Sequence, residues 1–191
     1  MIPTDDQIAA LWNIHALPLY KQNHCILVAR VAVWFANQLT CMGAVSKIDI
    51  PVLKAASLLH DIDKMAQKQE SEHHPDAGVR ILTLAGFFEV ADIVRTHPLH
   101  AILDQNISPK TWEEKILYLS DKMTKHSIIT VDERFALWRA EQLPIEAMRI
   151  LDTTYPKVKE LEKEICGMIH VKPNDVAALV NTLETSTMKR M

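Results

Sequence analysis

The segment that decides the fold and the chemistry reads Ala55-Ala56-Ser57-Leu58-Leu59-His60-Asp61-Ile62-Asp63-Lys64. Its apolar part has helical spacing and ends at a histidine beside a carboxylate, His60 and Asp61. Burying such a pair against apolar side chains costs free energy unless a partner satisfies both groups. A divalent metal ion does so, because neutral imidazole and carboxylate are among its usual ligands. The simpler alternative is a helix end where Asp61 and Lys64 are solvated and His60 bonds to the backbone, so the other histidines and aspartates must decide.

Composition favours an all-α fold and a single domain over residues 1–191. The chain has 191 residues, of which 48% are hydrophobic and only four are glycine. This length suits one domain with a sizeable core, and so few glycines favour helices over a turn-rich β-fold. Helical patterns follow one another along the chain without an internal repeat or a low-complexity linker.

Charge and cysteine content narrow the expected partners and compartment. The formal net charge is −3 at pH 7, which gives no electrostatic case for nucleic acid as the main partner. Cys25, Cys41 and Cys166 form neither a disulfide framework nor a metal motif, and a reducing cytoplasm fits them best. The acidic N-terminus does not read as a signal peptide, and no apolar run approaches the roughly 20 residues that span a bilayer. No membrane partner is therefore expected.

Local signals place several helix boundaries. Thr4 and Thr111 each begin the four-residue pattern of a capping box, and Asp49 is a candidate N-cap followed by a proline in the first turn. A long amphipathic helix is expected to start near Asn23. Pro156 is expected to kink or break a helix in the C-terminal third.

Two further polar residues lie on apolar helix faces. His24 is the first residue of a hydrophobic stripe, and Asp121 interrupts an otherwise apolar helix. Each has an ordinary explanation when taken alone. His24 could be a core histidine bonded to the backbone, and Asp121 could pair with Lys122 or Lys125 at the surface. A metal ion that binds both is the alternative.

Two pairs of histidines lie at predicted helix termini, where side chains can converge on a site. His73 and His74 precede a helix that opens at a proline, and His97 and His100 follow the end of another helix. One member of each pair is a candidate ligand. The proline that follows His74 and the helix-end position of His97 favour these two.

In this order the residues resemble the HD superfamily of metal-dependent phosphohydrolases, whose pattern is H…HD…D on consecutive helices. Residues 55–64 are similar to the family's AALLHDIGK segment, with Asp63 where glycine is frequent. His74-Pro75-Asp76-Ala77-Gly78 is similar to its HPxxG segment, and Ser120-Asp121-Lys122 to its ADK segment. The resemblance implies an HD-domain helical bundle over about residues 20–126, with additional C-terminal helices over about residues 131–185.

The resemblance also implies a set of metal ligands. One divalent transition metal ion would be held by His24, His60, Asp61 and Asp121. His74 and His97 match the second-metal ligands of the dinuclear branch that includes bacterial symmetrical diadenosine tetraphosphate hydrolases, with Asp61 as the bridge. Mixed histidine and carboxylate ligands suit iron, manganese, nickel, cobalt or zinc, and sequence does not choose among them.

The expected activity is hydrolysis of a phosphoester or phosphoanhydride in a phosphorylated small molecule, such as a nucleotide or dinucleoside polyphosphate. Asp61 would position the attacking water, and Lys64 is either a phosphate contact or a solvated loop lysine. Arg95 and His100 are further candidate phosphate contacts. Two other readings stay open: a non-catalytic HD-like nucleotide-binding or signalling module, and a purely structural bundle with histidines in its core.

Overall fold

The computed structural model describes the backbone of residues 1–188 and the side chains of residues 1–182, and over this range the predicted all-α class is confirmed. Among the residues described there is no β-strand, apart from an isolated bridge between Thr124 and Ile128. The α-helices are α1 (Asp5–Ile14), α2 (Leu19–Cys41), α3 (Ile50–Leu59), α4 (Asp76–Leu84), α5 (Phe88–Arg95), α6 (Trp112–Lys122), α7 (Val131–Ala140), α8 (Ile145–Met168) and α9 (Val176–Met188). Short 3-10 helices span Leu99–Leu103 and Pro173–Asp175.

Helix boundaries follow the local signals with two exceptions. The capping boxes at Thr4 and Thr111 and the N-cap at Asp49 are all present. Helix α2 begins at Leu19, four residues before the expected start near Asn23, because the backbone is already helical directly after the proline that caps it. Helix α8 continues through Pro156 without a break.

Helix α2 forms the centre of the bundle. It packs against α3 and α6, while α3 also packs against α5 and α6, and α4 lies on α5. The C-terminal helices join the same assembly, since α7 packs on α8, and α8 contacts α6 and the 3-10 helix Leu99–Leu103. One cluster of buried apolar side chains includes Val28 and Leu39 of α2 as well as Val158 and Ile165 of α8. The site described below lies between these helices.

Helix α2 also has the length and hydropathy of a bilayer-spanning helix, contrary to the expectation that no segment would. It is 23 residues long, and half of its most apolar window is buried inside the protein. The central helix of a helical bundle has these same two properties, because its residues face neighbouring helices on several sides. Length and composition alone therefore do not assign α2 to a membrane.

Candidate metal centre

The His60–Asp61 pair occupies a turn directly after α3, which ends at Leu59. His60 is completely buried and Asp61 is 4% exposed. The backbone NH of Lys64 donates to the carbonyl of Asp61 at 3.1 Å, so the chain turns sharply here. Because the two side chains project from a turn and not from the middle of a helix, both reach the same centre.

The first half of the centre consists of His24, His60 and Asp121. Their candidate ligand atoms all lie within 4.8 Å of one another. His24 Nε2 is 3.1 Å from Asp121 Oδ1, and His60 Nε2 is 3.5 Å from the same oxygen. Ligand atoms around one tetrahedral ion are typically separated by somewhat less than twice a metal–nitrogen bond of about 2.1 Å. These three residues, from α2, the turn after α3 and α6, therefore suit one shared cation.

The second half consists of Asp61, His74 and His97. The Nε2 atoms of His74 and His97 lie 2.9 Å apart, and His74 Nε2 is 3.7 Å from Asp61 Oδ1. His60, Asp61 and His97 also form a group whose ligand atoms lie within 4.8 Å of one another. Asp61 thus lies between the two halves, and all six predicted ligands converge.

The four histidine rings share one orientation, in which Nδ1 faces a supporting oxygen and Nε2 faces the centre. The acceptors are the carbonyl of Lys125 for His24 (3.3 Å), of Ser57 for His60 (2.8 Å) and of Val94 for His97 (2.6 Å), and Asp63 Oδ1 for His74 (2.8 Å). A carbonyl or carboxylate oxygen can only accept, so Nδ1 carries a hydrogen, and in the neutral form of each ring Nε2 has the free lone pair. This is the arrangement by which outer partners orient metal-bound histidines.

Two observations test whether the centre fits a metal ion. His60 Nε2 is buried and has no hydrogen-bond partner among the residues described. The Nε2 atoms of His74 and His97 also face each other at 2.9 Å, and when both rings are neutral with hydrogen on Nδ1 their lone pairs repel unless a cation lies between them. Unsatisfied buried acceptors are rare in proteins because they are costly. Both features are explained if a divalent cation binds here.

Electrostatics agree with this fit at both carboxylates and at His97, whereas at His60 burial is outweighed by Cys25 and Asp61, which raise its pKa well above normal. Burial would raise the pKa of Asp61, but His60 and two lysines outweigh it and hold the pKa far below its usual range. Burial likewise opposes ionisation of Asp121, yet Lys122 and the neighbouring His24 and His60 keep its pKa well below normal. Burial, with His74 and His60 nearby, lowers the pKa of His97 well below normal, so its imidazole is neutral. Ionised carboxylates and neutral imidazole are the forms that bind metals.

Three lysines contact the carboxylates of the centre. Lys21 Nζ is 2.7 Å from Asp61 Oδ2, and Lys64 Nζ is 3.3 Å from Asp61 Oδ1. Lys122 Nζ donates to Asp121 Oδ2 at 2.8 Å and to the carbonyl of His97. Lys122 is only 1% exposed, so its pair with Asp121 lies inside the protein and not at the surface. Burial lowers the pKa of Lys122 despite that neighbour.

The centre opens into a cleft of about 300 Å³. Of the predicted phosphate contacts, Lys64 and His100 line this cleft. Arg95 does not, because the inward face of α5 is formed by its apolar residues; the half-exposed Arg95 side chain lies 4.0 Å from Asp92 instead. His73, the alternative to His74, is exposed.

Sequence reasoning missed four residues that line the cleft, namely Lys21, Lys122, Arg134 and Trp138. A signal for Lys21 existed, since it lies three residues before His24 and so shares its helix face. Lys122 was considered only as a surface partner. Arg134 and Trp138 come from α7, whose approach to the cleft depends on tertiary packing that no local pattern records.

With the centre described, the chain can be compared with known families. The model of the HD domain matches residues 22–148, and the chain belongs to this family. The match extends past residue 126, where the sequence suggested that the core ends, and it includes α7. No match was found among curated proteins or among solved structures.

Proposed function

We propose that this HD-domain protein is a metal-dependent phosphohydrolase that cleaves a phosphoester or phosphoanhydride, in a nucleotide or a dinucleoside polyphosphate. The observation that carries the proposal is the convergence of four imidazole lone pairs and two carboxylates at the floor of a cleft that also holds lysines. A bound cation and basic side chains both stabilise the charge that develops when an anionic phosphate ester is hydrolysed.

The residues divide into metal ligands and substrate contacts. The ligands would be His24, His60, Asp61 and Asp121 for one ion, with His74, His97 and the shared Asp61 for a second. When bound, such ions lower the pKa of water and neutralise phosphoryl charge. The hydrogen bonds at Nδ1 of the four histidines orient these rings, which reduces the cost of organising the site.

Lys64 and Lys21 have a direct role in this proposal. Both ammonium groups lie against Asp61, at 3.3 and 2.7 Å, and both line the cleft. Once Asp61 is occupied as a ligand, the same ammonium groups are available to phosphate oxygens as point charges. His100 is exposed at the edge of the cleft and is a further contact.

We further propose a dinuclear centre of the kind found in the symmetrical diadenosine tetraphosphate hydrolases. The support is the position of His74 and His97, whose Nε2 atoms meet 2.9 Å apart beside Asp61. A mononuclear site built on the first half alone leaves this contact without a cation. A reducing cytoplasm as the working compartment is part of the same proposal, since all three cysteines are free.

The test combines metal analysis with a screen for phosphate release. Protein purified without chelator is analysed for transition metals and then assayed with Mn²⁺, Co²⁺, Ni²⁺, Fe²⁺ or Zn²⁺ on mononucleotides, diadenosine tetraphosphate and p-nitrophenyl phosphate. We expect metal-dependent release that Asp61→Asn reduces by more than roughly 100-fold, beyond the effect of losing an outer partner. The exposed Asp92→Asn is the matched control and should keep full activity.

Circular dichroism establishes that Asp61→Asn is folded. A wild-type protein that binds metal but releases no phosphate from any of these substrates would favour the non-catalytic nucleotide-binding module. A protein that neither binds metal nor cleaves would leave the structural bundle as the better reading.

A further inference from the structure

Arg134 differs from the other cations of the cleft because two of its hydrogen-bonding groups have no partner among the described residues. Lys21, Lys64 and Lys122 each contact a carboxylate at 3.3 Å or less. Arg134 is only 9% exposed, and its Nε and Nη1 atoms are buried without a hydrogen-bond partner in the described part of the chain. A guanidinium buried in this way is costly unless a ligand completes its hydrogen bonds.

The Arg134 side chain is held in position by the aromatic residues of its own helix. Its guanidinium carbon lies 4.3 Å from the ring centroid of Trp138, one helical turn away, and both residues line the cleft. Phe135 packs edge-on against Trp138, with ring centroids 5.2 Å apart. A capping box at Thr130 fixes the start of α7. The guanidinium is therefore oriented in advance by packing and not by a carboxylate.

The charges around Arg134 leave it available to an anion. Burial lowers its pKa, while Asp121, Glu141 and Asp61 act in the opposite direction without forming an ion pair with it. A guanidinium stays protonated under all ordinary conditions. The cleft has four basic side chains and two carboxylates, Asp61 and Asp121, along its walls. The surplus of positive charge suits an anionic ligand, and metal binding to the carboxylates would increase it.

We propose that Arg134 binds a second phosphoryl group of the substrate, so that the cleft is built for a diphosphate or longer phosphoanhydride and not for a phosphomonoester. Lys21 and Lys64 meet at Asp61 and serve the phosphoryl group at the centre. Arg134 comes from a different helix and bonds to neither carboxylate, which makes a separate cationic position. Its planar fork can donate two parallel hydrogen bonds to a phosphate, as an ammonium group cannot. This inference rests on the proposed function for its substrate class.

Binding of hydrolysis-resistant probes tests the inference without the reaction. Methylenediphosphonate and methylphosphonate are titrated calorimetrically into the Mn²⁺-loaded full chain, with Mn²⁺ in excess over either probe. We expect Arg134→Met to weaken methylenediphosphonate binding by roughly 10- to 100-fold, the range for losing hydrogen bonds to a charged group. Methylphosphonate binding should change by less than about threefold, because one phosphoryl group is held at the centre. Arg134→Lys should lie between Arg134→Met and the wild type.

Arg139→Met is the matched control. Arg139 lies on the same helix, but it is 40% exposed and pairs with Asp152 at 3.2 Å outside the cleft. Its removal should leave both affinities within about twofold of the wild type, because a screened surface pair contributes little. The inference is overturned if Arg134→Met and Arg139→Met behave alike, or if Arg134→Met weakens both probes equally.

Thermal unfolding separates a binding role from a structural one. Because Nε and Nη1 of Arg134 have no partner, we expect Arg134→Met to unfold at the same temperature as the wild type or a higher one. A clear drop in unfolding temperature, with unchanged probe affinity, would make Arg134 structural and refute the inference. If the wild type cleaves phosphoanhydrides and Arg134→Met retains full diphosphonate affinity, only this inference fails. If the wild type cleaves nothing but binds diphosphonate through Arg134, only the proposed function fails.

Discussion

The two halves of the metal centre are supported in different ways. In the first half, both histidines donate to main-chain carbonyls, His24 to Lys125 and His60 to Ser57. In the second half, His97 is also held by a carbonyl, but His74 donates to the side chain of Asp63. A main-chain carbonyl remains whichever side chain its residue carries, whereas the carboxylate is lost when Asp63 is replaced. The first half should therefore tolerate changes that disturb the second.

The halves also differ in the solvent exposure of the lysines that pair with their carboxylates. Asp121 of the first half pairs with Lys122, which is only 1% exposed. Asp61 pairs with Lys21 and Lys64, whose side chains are 26% and 32% exposed. The lysine of the first half is thus enclosed by the protein and those of the second half are partly exposed, although both halves contribute residues to the lining of the cleft.

Replacing one histidine of each half gives the largest expected contrast. We expect about two metal ions per chain in the wild type, about one in His74→Gln, and less than one in His24→Gln, because the first half is supported by main-chain carbonyls and is expected to bind its ion first. Elemental analysis of protein purified without chelator measures this. Phosphate release should fall in both variants by more than roughly 100-fold. Equal metal loss in both variants would show that the halves do not act separately.

Sequence patterns were sufficient for the fold class and for choosing six residues that lie together in the structure, whereas their role as metal ligands stays a prediction. Helical periodicity placed His24 on a buried face, and capping boxes fixed the starts of α1 and α6. The HD match confirms the family. That all six predicted ligands converge follows from the order of the helices, which the family pattern implies.

The remaining parts of the site depend on contacts between distant segments. Arg134 lines the cleft because α7, which follows the loop that contains Lys125, packs beside it. The periodicity of α7 does not indicate this contact. Arg95 was a further candidate phosphate contact, yet its side chain is half exposed and lies beside Asp92. Asp63 was noted as a departure from glycine, but its role required knowing that His74 lies 2.8 Å away.

Removing the carboxylate that supports His74 should have an intermediate effect. Asp63 is completely buried, and both of its oxygens lie within 3.1 Å of His74 Nδ1. An amide in its place keeps the size but can present its NH₂ group to Nδ1, which favours the wrong tautomer. We expect Asp63→Asn to lower the affinity for the second metal ion by roughly 10- to 100-fold and to leave the affinity for the first ion unchanged. Metal titration of the stripped protein measures the two affinities.

Asp92→Asn serves again as the control, because Asp92 is exposed and remote from the cleft. A variant Asp63→Asn that binds both ions as tightly as the wild type would show that the backbone alone positions His74. The comparison between the two halves would then lose its physical basis.

The smallest expected effect comes from Gly78, which packs against Asp63, the carboxylate that supports His74. A Cβ atom on Gly78 would lie 3.3 Å from Ile62 Cγ2 and 3.6 Å from Asp63 Cβ, whereas one on Gly167 would meet nothing within 4 Å. Both glycines lie in helices, where alanine is favoured by up to about 1 kcal/mol. Gly167→Ala should therefore raise the free energy of unfolding by about 0.5 kcal/mol, since it lies near the helix end.

Gly78→Ala should gain less than Gly167→Ala, because Ile62 or Asp63 must move by a few tenths of an ångström to admit the methyl group. Chemical denaturation of the two variants measures the difference. The same displacement should lower the affinity for the second metal ion by a few-fold at most, since it shifts the carboxylate that contacts His74 without removing it. If Gly78→Ala stabilises the protein as much as Gly167→Ala and leaves both metal affinities unchanged, Asp63 has room to move. The second half would then be held less tightly than its hydrogen-bond distances indicate.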